Sequence, residues 1–250
     1  MRTAPVLMYH ACGSRTNDED PHGLFVPEAA LRWQMEHVRS VGLAPLTLDD
    51  WLEGRRGVLL TVDDAWGSTT TIARVFADYD APWVLYVPPA LVGGRSDDFL
   101  PDTLPPEPML TAGQLTELSS YGMELGVHGW DHADMHGMGQ DELRLHTAQA
   151  RDELERLTGV RARTFAYPRG VHDREARSAV ERAGFDLAFA VGEDDGRFAM
   201  PRIDVNATEV QRSFALKLKP YWPIVKRVLE ATPRVRRAGH RLVGSARSLG

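Results

Sequence analysis

Val58-Leu59-Leu60-Thr61-Val62-Asp63-Asp64 is the stretch on which the fold turns. An unbroken apolar and β-branched run closed by two carboxylates reads as a strand buried on both faces. Strands of that kind belong to parallel sheets covered by helices. The flanking sequence repeats the pattern. Toward the N-terminus, Pro5 to Tyr9 reads as a first strand, Pro27 to Val41 as a helix ended by Gly42, and Leu43 to Leu46 as a brief strand. Toward the C-terminus, strands are expected at Trp83 to Val87, Met123 to Val127, Arg163 to Ala166, Phe185 to Val191 and Arg202 to Val205. Helices are expected at Thr70 to Tyr79, Leu115 to Tyr121, Gln140 to Leu157 and Arg174 to Ala183. Pro88 to Pro108 is rich in proline and reads as a surface loop. Alternation of this kind implies an α/β fold with a parallel sheet, and seven or eight units suggest closure into a barrel. An open doubly wound sheet is the competing architecture.

Composition narrows the class. At 250 residues, with 43% apolar and 26% charged side chains, the chain has the make-up of an ordinary globular protein with ample core. The single cysteine, Cys12, excludes an internal disulfide and a cysteine-cluster zinc site. The N-terminal apolar run is too short for a signal peptide and no stretch is long enough for a membrane span, so a cytoplasmic location is expected. The net charge of -6 is unevenly spread: residues 215–250 carry nine Lys and Arg and one acid, leaving an acidic body and a basic tail. That distribution argues against nucleic-acid binding by the main domain. The expected division is a catalytic domain over 1–214 and a helical tail over 215–250. The tail is read as packed on the domain, in preference to lying on a membrane, since Pro223 and Pro233 keep any helix short.

Three polar clusters follow expected strands, where barrel enzymes carry their active sites. In Thr61-Val62-Asp63-Asp64, two adjacent carboxylates are costly unless a cation or proton neutralises them, although an Asp pair there could equally be a helix cap. In His128-Gly129-Trp130-Asp131-His132, two imidazoles four residues apart suit a divalent transition metal, or are simply surface or structural histidines. In Phe165-Ala166-Tyr167-Pro168-Arg169-Gly170, Pro and Gly make a tight turn that could aim a backbone N–H into a pocket, or merely join strand to helix.

In this order, the three clusters resemble the motifs of the polysaccharide deacetylases, the NodB-homology domain of carbohydrate esterase family four. The resemblance covers about residues 5 to 205. The opening Leu7-Met8-Tyr9-His10 is similar to a branch whose catalytic His lies on the N-terminal strand. The resemblance implies a distorted (β/α)7–8 barrel. It also implies one divalent ion, zinc first, held by Asp64, His128 and His132. Asp63 would be the base toward metal-bound water, His10 the acid toward the leaving amine, and the Arg169 N–H the oxyanion donor. The implied reaction is hydrolysis of an N-acyl, chiefly N-acetyl, amide on an amino sugar or glycoconjugate. An O-acetyl esterase, a non-sugar amidase and a silent carbohydrate-binding module are the alternatives.

Several positions depart from the family pattern. Ala65 stands for Gly, Gly129 for Ser or Thr, and Ala166 for the Arg that orients the base. Trp130, Tyr167 and the Arg169 side chain are the candidate substrate contacts. Cys12 near His10 lacks a third group to orient a nucleophile. His22, His37, His146 and His240 are read as surface residues.

Overall fold

A computed structural model describes residues 4–98, 106–119, 121–192 and 194–231. One compact unit ends at Ala207 and a second begins at Thr208. The first is an α/β barrel. Its parallel strands are β1 (Val6–Tyr9), β4 (Leu59–Val62), β5 (Trp83–Val87), β6 (Met123–Val127), β7 (Thr164–Ala166), β8 (Leu187–Ala190), β9 (Met200–Pro201) and β10 (Ile203–Asp204). The sheet order is β10-β1-β4-β5-β6-β7-β8-β9. A short outer pair, β2 (Ala11–Cys12) and β3 (Phe25–Val26), stands apart. The competing open doubly wound sheet is thereby set aside.

Closure happens at one residue. The two ends of the sheet, β9 and β10, are consecutive in sequence and separated only by Arg202. Ala190 pairs with Pro201 on one side, and Leu7 pairs with Ile203 and Met8 with Asp204 on the other. The final strand, expected as one piece over Arg202 to Val205, is therefore two short pieces that hand over from β8 to β1. Arg202 sits at the corner with its side chain turned inward.

Helices cover the outside: α1 (Glu28–Ser40), α3 (Thr69–Asp78), α4 (Ala112–Ser119), α5 (Gln140–Arg144), α6 (Ala150–Thr158) and α7 (Arg174–Arg182). The burial of Leu31, Met35 and Val38 on α1 follows the helical spacing in the sequence. The helix expected over Gln140 to Leu157 is real but interrupted: Leu145–Gln149 form a π turn between α5 and α6. The segment expected as a strand over Leu43 to Leu46 makes only an isolated bridge, Pro45 to Val58, and leads into a short helix, α2 (Leu48–Leu52). Leu48 and Trp51 of α2 join Val6, Leu59, Val84, Tyr86, Leu187 and Phe189 in one buried cluster. The Trp51 indole donates to the Ala4 carbonyl at 2.8 Å, so α2 closes the end of the barrel where the strands begin. The chemistry is left to the other end.

The proline-rich connection contains two 3-10 turns, Pro89–Leu91 and Ser96–Asp98, and residues 99–105 lie outside the described residues. In the second unit, α8 (Gln211–Lys217) and α9 (Trp222–Ala231) form, and the expectation for the tail beyond 231 lies outside the described residues.

Candidate metal centre and its surroundings

The site residues follow strand ends: His10, Asp63, Asp64 and His128 stand one or two positions past a strand, Arg169 three and His132 five. Hydrogen bonds that continue the sheet hold several of them: Asp63 N–H donates to Tyr9 O, His128 N–H to Val87 O, and Tyr167 N–H to Phe189 O, all at 2.9–3.0 Å. The chain then turns sharply. Among the described residues five non-glycine positions have positive φ, and four of them are Asp64 (74°), Ala65 (60°), His132 (67°) and Arg169 (52°). Left-handed backbone is strained for residues with a Cβ, and strain gathered in one place is characteristic of functional sites.

Asp64, His128 and His132 converge. All three are buried, and one ligand atom from each lies within 4.8 Å of the others. Asp64 Oδ1 is 3.4 Å from His128 Nε2 and 3.2 Å from His132 Nε2. Two ligands about 2.0–2.1 Å from a tetrahedral ion would be about 3.3 Å apart, so the spacing fits such an ion. Two further observations agree. The Nδ1 of His128 faces the Ala166 carbonyl at 2.8 Å; a carbonyl only accepts, so Nδ1 carries a proton and Nε2 is the nitrogen turned toward the centre, the one that would ligate an ion. The buried Asp64 Oδ1 has no hydrogen-bond donor. Burial raises the Asp64 pKa, but the imidazoles of His132 and His128 outweigh it and hold the carboxyl well below the ordinary range.

Asp63 has a different environment. Arg202 grips it with two bonds of 2.6 Å, Nη1 to Oδ1 and Nη2 to Oδ2. The guanidinium also donates to Thr61 Oγ1 at 3.2 Å and lies 5.3 Å from the centre of the Tyr86 ring. Both partners are buried. Burial again pushes the Asp63 pKa up, but Arg202, with His128 and His10 nearby, brings it below the ordinary value. The two adjacent carboxylates are thus kept ionised by different means, Asp63 by an arginine and Asp64 by imidazoles. Arg202 was not among the candidates from sequence. It reaches Asp63 from the corner between β9 and β10, and its charge within a segment expected to be a buried strand was the one hint of it in the sequence.

His10 follows β1 with Nδ1 buried and unbonded, near enough to act on the charge of both Asp63 and Asp64. No bond in the described structure takes the Arg169 N–H, while its guanidinium pairs with Asp134 at 2.8 Å on the surface. Trp130 is half-buried between the two histidines of its motif. Tyr167, a candidate substrate contact, is fully buried and its hydroxyl donates to the Phe198 carbonyl at 2.8 Å. Cys12 is buried, and that burial pushes its thiol up to about 11, leaving it a thiol at neutral pH. His146, expected at the surface, is buried. The π turn brings it under the second motif.

Comparison with known proteins bears on the family and the fold. A family profile described as polysaccharide deacetylase matches residues 53–188. YxkH of Bacillus subtilis (strain 168), whose name places it with the polysaccharide deacetylases, is 22% identical over 213 residues, covering 81% of this chain and 71% of YxkH. Among solved structures, the polysaccharide deacetylase BC0361 of Bacillus cereus superposes with a TM-score of 0.72 at 22% identity, over 86% of this chain and 69% of the other. The Streptococcus pyogenes deacetylase PplD, in complex with acetate, gives 0.74 at 19% identity, over 87% and 98%. IcaB from Ammonifex degensii gives 0.69 at 20%, over 89% and 97%.

Proposed function

Because the chain belongs to the polysaccharide deacetylase family, we propose that it hydrolyses the N-acetyl amide of an amino sugar or glycoconjugate with one divalent ion, zinc, held by Asp64, His128 and His132. The observation that carries the reading is the division of labour between the paired carboxylates. One faces two imidazoles with an undonated oxygen; the other is fixed by a buried arginine. When bound, the ion polarises the acyl oxygen and lowers the pKa of a water from 15.7 to about 7.

The chain's own groups supply the rest. Asp63, held ionised and aligned by Arg202, accepts the proton of the attacking water. The Arg169 N–H donates to the oxygen that gains charge as the acyl carbon becomes tetrahedral. His10 gives a proton to the amide nitrogen as the C–N bond breaks, without which an amine leaves poorly. The products are a carboxylate and a free amine. Acetate in the PplD structure is the acyl product this reaction would release here.

A panel of N-acetyl and O-acetyl sugars and non-sugar amides, read by mass spectrometry and amine release, tests the reading. Free amine from an N-acetylated sugar is the expected result. Turnover confined to O-acetyl esters or to non-sugar amides would overturn the substrate assignment. No turnover by protein loaded with its metal would overturn the enzymatic one.

A further inference from the structure

Among the described residues, His146 is the one buried histidine that the proposed reaction does not use. It lies in the π turn Leu145–Gln149, where the helix between β6 and β7 takes an extra residue. Such turns cost hydrogen-bond regularity and are frequently found at functional sites. Here the turn sets His146 and Thr147 side by side in the buried layer. The imidazole Nδ1 accepts a hydrogen bond of 3.1 Å from the backbone N–H of Trp130. Nδ1 is therefore the bare nitrogen and Nε2 carries the proton, 3.7 Å from Asp131 Oδ1. Burial draws the His146 pKa below the ordinary value, which favours this neutral form.

The bond is aimed at a sensitive place. Trp130 is the middle residue between His128 and His132, and its carbonyl is taken by the Ala90 N–H at 3.0 Å. Both backbone polar groups of Trp130 are thus pinned, one by a backbone and one by a side chain. The turn they hold has left-handed residues at Gly129 (72°) and His132 (67°) and relaxes unless it is constrained. A Cβ at position 129 would meet Pro168 Cγ at 3.1 Å and His146 Nδ1 at 3.3 Å. The glycine that departs from the family's Ser or Thr is the residue that leaves room for the imidazole.

We propose that His146 is a positioning residue for the metal centre: through Nδ1 it locks the turn joining His128 to His132 in the shape that lets both imidazoles reach one ion. This rests on the assignment of Asp64, His128 and His132 as ligands. Groups that orient ligands from behind typically change metal affinity by about 10–100-fold when removed.

The test is Co2+ affinity at neutral pH, by chelator competition and the visible absorption of the bound ion, on the full chain. His146→Asn places an amide oxygen where Nδ1 was and is expected to bind within a few-fold of the parent. His146→Leu removes the acceptor, and His146→Gln moves the amide out toward the Nε2 position. Both are expected to bind about 10–100-fold more weakly, with an altered Co2+ spectrum. A merely structural role would lower the melting temperature of all three without separating Asn from Gln. Equal affinity in all the variants and the parent overturns the proposal, as does an Asn variant no better than Gln. Should the Leu variant not fold, the Asn–Gln contrast decides alone. A parent that binds no Co2+ refutes the ligand assignment itself, and this inference with it.

Discussion

At the scale of single residues, the site is built on where charge is placed and what neutralises it. Arg202 and Asp63 are buried together, so neither can be lost alone without stranding the other. Arg202→Met is expected to cost about 3–5 kcal/mol in urea denaturation with chelator present, and Asp63→Leu combined with it should recover much of that loss. A single variant within about 1 kcal/mol of the parent would show that the pair is not what it looks like. His10 carries the other residue-level expectation. His10→Ala should keep its metal while kcat on an amide falls by roughly 10²–10⁴-fold, and by less on an activated ester whose leaving group needs no proton. Loss of metal in this variant, or a parent-like amide rate, would move the acid elsewhere. The clusters holding Asp64, His128 and His132 could be seen in sequence because they follow apolar strands, but local rules left a helix cap and ordinary histidines open, and only the family resemblance singled them out as ligands. Arg202 could not, because its partner is 139 residues away and nothing local marks a contact made by barrel closure. His146 was hidden for a related reason, since only the π turn sets it into the buried layer.

Secondary-structure elements hold those residues by their ends. The strands were readable as apolar runs because both faces are buried, and β4 and β5 match the expected segments closely. The brief strand before them failed because Thr47 caps a helix: its side chain accepts from the Asp50 N–H, and Leu48 and Trp51 then turn into the barrel. Caps also tie the third motif in place. Asp173 accepts from Ala176 N–H at the start of α7 and from Gly137 N–H in the loop after the second motif, at 2.8 and 2.7 Å. Its slight burial raises the carboxyl pKa, but these donors outweigh that and lower it. A depressed folded-state pKa adds stability above the unfolded value of about 3.9, and that stability disappears as pH falls through the folded value. Asp173→Ala is therefore expected to cost about 1 kcal/mol near neutral pH, and the gap from the parent should close in acid. A gap that stays constant down to the acid transition would assign the loss to something other than the charge.

For the molecule as a whole, ligand binding and folding share one free energy. Zinc at 100 times its dissociation constant would stabilise the native state by about 2.7 kcal/mol, a rise of roughly 5–10 °C in melting temperature for a domain this size. Asp64→Ala should show no such rise, and calorimetry with and without chelator measures both. If the parent's melting point ignores zinc, the ion is not bound by the native fold. The corner at Arg202 has another effect, on timing during synthesis. The first strand emerges early, and one of its edges is paired only by Ile203 and Asp204. Asp63 is made 139 residues before its guanidinium. At about 5–20 residues per second the ribosome needs on the order of 10 s to cover that distance. Throughout that interval a nascent chain holds an unpaired sheet edge beside an uncompensated carboxylate. Burial of Asp63, the base of the proposed reaction, therefore waits on the arrival of Arg202, which ties that reaction to the completion of the barrel.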